Sequence, residues 1–189
     1  ATTHAAMGTL LALPLFAVSP EFAGVAAGAA LVGGYLPDLD ILWPLAHRKT
    51  LHYPEYFTVV AAALGAVALL RPTPLTVGVA FAAAAGALHA LTDALGGGWG
   101  GGLGRRPWVE DDDRGVYHHR GKRWLAPRRL IRYDGAPEDL LAVVALSVPG
   151  ILAFEGTVRT ALLGGVVVSV VYTLLRKRLP DIGASLCGR

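Results

Sequence analysis

Two aspartates and two histidines lie close together in an otherwise apolar stretch, YLPDLDILWPLAHRKTLHY, which runs from Tyr35 to Tyr53. The four side chains are those of Asp38, Asp40, His47 and His52. Carboxylates and imidazoles together are ligands for zinc, manganese, iron or nickel. Taken singly, PDLD is typical of a turn and HRKTLH of a basic stretch at a membrane surface. Their combination predicts metal chemistry.

A second ionisable pair, His89 and Asp93, lies near the end of a long apolar segment. The four-residue spacing places both side chains on one face of a helix. Ionisable groups inside membrane spans are costly and usually functional, although a polar pair at a helix end that reaches for water is the alternative. With His4, at the start of the first apolar segment, the candidate metal ligands are His4, Asp38, Asp40, His47, His52, His89 and Asp93. This set exceeds one tetrahedral site, so we expect one to three divalent ions, with zinc first and manganese, iron or nickel as alternatives.

The elements that must position these side chains are membrane helices. The chain has 189 residues, of which 53% are hydrophobic and only 16% charged, and a mean hydropathy of +0.49. A soluble domain carries about a quarter charged residues. The single cysteine, Cys187, excludes an intrachain disulfide. The net charge of +3 is localised, which indicates membrane topology, so we expect no nucleic-acid partner.

Hydropathy predicts an all-α membrane bundle of about six spans in a single domain, residues 1–189. The apolar segments are 5–19, 22–36, 55–71, 75–95, 139–155 and 158–175. The first two are short, and a re-entrant hairpin is their alternative. A Gly-rich and then basic loop, residues 96–138, separates spans four and five, and a tail covers 176–189.

Small residues within the predicted spans favour close helix packing. They include Gly24 and Gly28 at GxxxG spacing, the run Ala82–Ala85, and Gly164 with Gly165. An unspecific bias toward small residues is the alternative.

The distribution of basic residues predicts the orientation of the bundle. With six crossings, every Lys and Arg except Arg71 and Arg159 falls on the side that holds both termini and the long loop. The positive-inside rule makes that side cytoplasmic. All six histidines fall on the same side. We therefore expect a multi-pass inner-membrane protein whose termini and metal-ligand face are cytoplasmic.

The first half of the chain resembles the membrane-bound metal-dependent hydrolases. The resemblance rests on His4, the PDxD of residues 37–40, the HRxxxH of residues 47–52, and the HxxxD of His89 and Asp93. It departs from the HRG-x-THS pattern of that family at Lys49, Leu51 and Tyr53. A weaker similarity, in the order Asp38, His52, His89 and Asp93, is to zinc-dependent phospholipase C. Together these resemblances imply hydrolysis of a phosphoester or lipid-like substrate.

The expected mechanism uses metal-activated water. Asp38 or Asp40 would act as general base, and Arg48 would bind phosphate oxygens. The loop alternates basic residues with Trp124, Leu125 and Leu130, which suits contact with anionic lipid headgroups or a solvated basic surface.

Two other classes of function remain open from the sequence. One is a metal-binding membrane protein without catalysis, a sensor or a permease. The other is a membrane anchor that binds a cytoplasmic protein through residues 96–138. A permease pathway would need polar residues along the whole length of the spans. In this sequence, the half of each span that lies on the side away from the histidines is nearly all apolar.

Overall fold

The chain folds mainly into helices. The computed structural model describes residues 1–41, 45–97, 106–109 and 112–186. Within these ranges the helices are α1 (Thr2–Leu10), α2 (Leu15–Val18), α3 (Pro20–Tyr35), α4 (Pro54–Leu70), α5 (Pro74–Thr92), α6 (Pro137–Ala153), α7 (Gly156–Leu175) and α8 (Leu179–Leu186). Short 3₁₀ segments, Leu36–Ile41 and Asp93–Leu95, extend α3 and α5. Most of the predicted Gly-rich hinge, residues 98–105, and Cys187 lie outside the described residues.

Proline fixes the start of four helices, because its missing N–H has no partner in a first turn anyway. These prolines are Pro20, Pro54, Pro74 and Pro137. The helical prediction is confirmed at all six apolar segments, but α1 and α2 are separated by turns at residues 11–14 instead of forming one helix.

Three segments have membrane length and composition: Pro20–Ile41, Pro74–Leu95 and Gly156–Leu175. Thr2–Val18 and Pro54–Leu70 are apolar but shorter. A 17-residue helix is about 26 Å long at 1.5 Å per residue, slightly less than a hydrocarbon core of about 30 Å. The structure therefore supports membrane association through three spans, and the six-span bundle stays a prediction.

Helix α3 is the centre of the bundle, with α1 and α5 against it and the pair α6–α7 outside α1. Backbones approach closely at two glycines. A Cβ on Gly33 would lie 2.1 Å from the Ala82 carbonyl oxygen of α5, and one on Gly34 would lie 2.6 Å from the Ala5 Cα of α1. Gly24 and Gly28, which the sequence suggested for this role, have no neighbour within 4 Å of such a Cβ.

A β-hairpin inside the long loop was not predicted. Strands β1 (Val116–His118) and β2 (Arg123–Leu125) pair antiparallel, with Tyr117 opposite Trp124. After the hairpin the chain runs along the end of α5, where the Arg128 and Leu130 amides donate to the Ala94 and Leu95 carbonyls at 2.8 and 2.9 Å. The described part of the loop is thus folded against the bundle.

Candidate metal centre

Four chain segments meet at one end of the bundle. Helices α1 and α4 begin at this end, and helices α3 and α5, with the short 3₁₀ segments that follow them, finish there. These segments carry, in order, His4; Asp38 and Asp40; His47 and His52; and His89 with Asp93. The antiparallel order of α1, α3, α4 and α5 therefore brings the seven predicted ligands to one place.

Four potential ligand atoms lie next to one another at separations that suit a small metal ion, and three of them, on His52, His89 and Asp93, lie within 4.8 Å of one another. His52 Nε2 lies 2.9 Å from Asp93 Oδ2 and 3.8 Å from Asp38 Oδ1. His89 Nε2 lies 3.4 Å from Asp38 Oδ1 and 3.7 Å from Asp93 Oδ2. Ligands at the 2.0–2.1 Å typical of zinc are about 3.3 Å apart in a tetrahedron. The observed separations bracket that value.

Several buried ligand atoms have no hydrogen bond of good geometry. Among the residues that the structure describes, these atoms include His52 Nε2, His89 Nε2, Asp93 Oδ2 and His4 Nδ1. The 2.9 Å between His52 Nε2 and Asp93 Oδ2 is the one short contact among them. Unpaired buried polar atoms are expensive in free energy. The three that converge, on His52, His89 and Asp93, fit a bound cation that would satisfy them.

Hydrogen bonds from the outer ring nitrogens fix which nitrogen faces the site. His89 Nδ1 donates to the Gly34 carbonyl oxygen at 2.6 Å, and a carbonyl can only accept. His89 Nε2 therefore presents a lone pair to the centre. Backbone or carboxylate acceptors behind metal-bound histidines are the usual means of orienting them.

Asp40 supports the histidines and does not face the centre. Its Oδ1 accepts from His47 Nδ1 at 2.7 Å, and its Oδ2 accepts from His52 Nδ1 at 2.9 Å and from the Leu51 amide at 3.1 Å. The carboxylate is completely buried. Both oxygens are engaged, so the geometry favours an orienting role over the ligand or general-base role suggested by the sequence.

A second group of donors adjoins the first. His4 Nε2 lies 3.5 Å from Asp93 Oδ1, and the His4 ring stacks on His89 with 3.9 Å between ring centroids. His4, Asp38 and His89 offer atoms within 4.8 Å of one another, and so do Asp38, His47 and His52. Asp38 belongs to both of these groups.

Arg48 lies beside the centre in a conformation uncommon for a side-chain-bearing residue, with φ 60°. Such strain persists where surrounding contacts enforce it, often at functional sites. Here the Tyr117 amide donates to the Arg48 carbonyl at 2.9 Å. The buried guanidinium lies 3.8 Å from Asp93 Oδ2 and 3.6 Å from Asp134 Oδ1.

Neighbouring charges shift the pKa values of His52 and Arg48, two groups of the centre that lie outside the apolar segments. Burial alone would lower the pKa of His52, but the hydrogen bond to Asp40 and the close Asp93 carboxylate raise it to about 9. Burial also opposes the charge on Arg48, yet the carboxylates of Asp93, Asp134 and Asp38 hold its pKa above its ordinary value. The carboxylates around the centre thus favour positive charge there.

The hairpin covers the HRKTLH segment. His119 Nε2 donates to the Lys49 and His52 carbonyls at 2.8 and 3.0 Å. The His119 ring packs on Tyr53 with 4.3 Å between ring centroids. His118 instead lies 3.2 Å from Glu55. Both histidines of the loop are therefore engaged outside the metal centre.

A cavity of about 480 Å³ opens from the centre toward α6 and α7. Its polar end includes His4, Asp38, Arg48 and Asp93, and its other walls include Met7 and Leu146. Ligand pockets commonly measure about 300–1,000 Å³. The cavity is therefore large enough to hold a substrate against the metal centre.

Two contributors to the site carried no sequence signal. Asp134 follows the basic run and pairs with Arg48, and Gly34 contributes only a backbone carbonyl. Neither belongs to a recognisable motif, because their roles depend on tertiary contacts. No family model, curated protein or solved structure matches the chain.

Proposed function

We propose that the protein is a membrane-embedded, metal-dependent hydrolase that acts on a phosphoester or lipid-like substrate at the cytoplasmic face of the membrane. The observation that carries this proposal is the convergence of buried imidazole and carboxylate atoms on His52, His89 and Asp93, which lack hydrogen bonds of good geometry, with Asp38 at matching distances. A purely structural polar cluster would be expected to satisfy its own hydrogen bonds.

The metal would be held by Asp38, His52, His89 and Asp93, and His4 would contribute to a second ion beside it. A bound divalent ion supplies Lewis acidity and lowers the pKa of water toward about 7. Zinc suits the mixed imidazole and carboxylate set, and manganese, iron or nickel are the alternatives.

The chain's own residues would bind and orient the substrate. Arg48, buried at the polar end of the cavity, would bind phosphate oxygens. Asp38 lines the cavity whereas Asp40 does not, so of the two aspartates Asp38 is the better candidate for a general base, through the carboxylate oxygen that does not hold the metal. Hydrolysis would add the water oxygen to phosphorus, break the ester P–O bond and pass the proton to the departing alkoxide.

Replacement of the central ligands tests the proposal directly. His89→Ala and Asp93→Ala should lose bound metal, because each removes a buried donor of the centre. His118→Ala is the matched control, since that side chain pairs with Glu55 away from the centre. Metal content by elemental mass spectrometry, with helicity by circular dichroism, is the measurement.

The variants should keep wild-type helicity while the bound metal falls, and the control should keep its metal. Equal metal content in all proteins would overturn the proposed centre. Bound metal with no hydrolysis of any phosphoester would instead favour the non-catalytic sensor.

A further inference from the structure

The cavity beside the metal centre has two chemically different ends. One end holds the metal-binding donors and Arg48. The other is walled by α1, α6 and α7, where Met7, Ala142, Leu146 and Val168 line it. Ala142 and Leu146 are one helical turn apart, so they share one face of α6.

Several polar groups along this second wall are paired with each other. Thr2 and Ser169 share a hydrogen bond of 2.7 Å, and Thr3 donates to Asp139 at 2.7 Å. Asp139 also accepts from the Gly135 amide at 2.9 Å. A molecule bound in this part of the cavity would therefore contact mainly the apolar surface between these groups.

The outer lining is apolar where it is exposed. Ile41, Leu95, Leu130 and Val168 line the cavity and are 60%, 44%, 70% and 60% exposed. A pocket that opened only to water would be expected to carry a polar rim. Because α7 is a candidate membrane span, we expect this lining to continue onto surface that faces hydrocarbon.

We infer that the cavity between α1, α6 and α7 is a binding site for a hydrocarbon chain, and that the substrate is a phospholipid whose phosphoester reaches the metal centre. This inference rests on the proposed function for its reactive end. The chain site itself depends only on the shape and chemistry of the cavity. The negative headgroup phosphate matches Arg48, and the apolar wall matches a lipid tail.

Photolabelling tests the site. The purified protein in detergent micelles is irradiated with a phosphatidic acid that carries a diazirine in its acyl chain, and labelled peptides are identified by mass spectrometry. We expect label on Met7 and its neighbours. Leu146→Trp, which fills the cavity, should lower that label about tenfold. Ala142→Leu, a smaller change on the same face, should lower it less.

Leu141→Trp is the matched control, because Leu141 is exposed on the same helix and does not line the cavity. It should leave the Met7 label unchanged. Unlabelled phosphatidic acid should compete for the site, whereas inorganic phosphate should not. Label that stays the same in Leu146→Trp and Ala142→Leu, or that inorganic phosphate displaces equally well, would overturn the inference.

Metal content, measured on these samples and on His89→Ala, separates the two proposals. If the cavity is labelled but the bound metal does not depend on His89, the hydrocarbon-chain site is supported and the hydrolase proposal is wrong. If the bound metal depends on His89 but the cavity is not labelled, the metal centre is supported and the hydrocarbon-chain site is wrong.

Discussion

At the scale of single residues, the position of an aspartate relative to the histidines decides its role. Asp38 and Asp40 are equivalent in the sequence motif, yet Asp38 approaches the inner nitrogens of His52 and His89 whereas Asp40 holds the outer nitrogens of His47 and His52. The sequence predicts the residue types of the centre. It could not separate these roles, because they depend on which ring nitrogen each carboxylate meets.

Asp40→Asn tests the orienting role. The amide can accept only on its oxygen, so one of the two histidines loses its acceptor. We expect metal affinity to fall about 10–100-fold without being abolished, as measured by competition with a chelating dye. Asp113→Asn, at a carboxylate that is 91% exposed, is the control and should bind as the wild type does. A complete loss of metal in Asp40→Asn would indicate that Asp40 is a ligand. Unchanged affinity would show that Asp40 does not orient the histidines.

At the scale of elements, the helices were predictable and the hairpin was not. Long apolar runs bounded by proline specify helices locally. The three-residue strands have too little pattern to be recognised, and they are held by tertiary contacts with residues 48–53. Those contacts involve Lys49, which lies 4.5 Å over the Tyr117 ring, and Tyr53. Lys49 and Tyr53, two of the three positions that depart from the HRG-x-THS pattern, therefore lie where the hairpin docks.

Helix α3 offers a matched pair of glycines for a packing test. Gly33→Ala would place a Cβ 2.1 Å from the Ala82 carbonyl oxygen, so we expect a loss of about 1–3 kcal/mol in stability. Gly28→Ala meets open space and should be neutral or gain up to about 1 kcal/mol from helix propensity. Unfolding in mixed micelles measures both. Equal stability of the two variants would show that α3 and α5 do not approach as described.

At the scale of the whole molecule, membrane orientation remains a prediction of the charge distribution. Three helices have the length and composition of spans, but their direction follows only from the positive-inside rule. The hairpin and the exposed basic residues around it, including Arg120, Lys122 and Arg123, share the end of the bundle that carries the metal centre. The orientation of the bundle therefore decides on which side of the membrane both the hairpin and the metal centre lie.

Cysteine accessibility in intact cells measures this orientation. In a Cys187→Ser background, Lys122→Cys in the hairpin should react with a membrane-impermeant maleimide only after permeabilisation. Glu155→Cys, between α6 and α7, should react without it. The opposite pattern would place the metal centre outside the cytoplasm.

Gly34 lies where three helices cross, with the α1 backbone against its Cα and its carbonyl on His89 of α5. The helices that carry His4 and His89 therefore pack against the same glycine, so the bundle itself sets their separation. The ligand atoms that meet there are imidazole nitrogens and the carboxylate oxygens of Asp38 and Asp93. Calcium needs six to eight oxygens at about 2.3–2.6 Å, so we expect this mixed set to favour a smaller ion over calcium even where calcium is abundant.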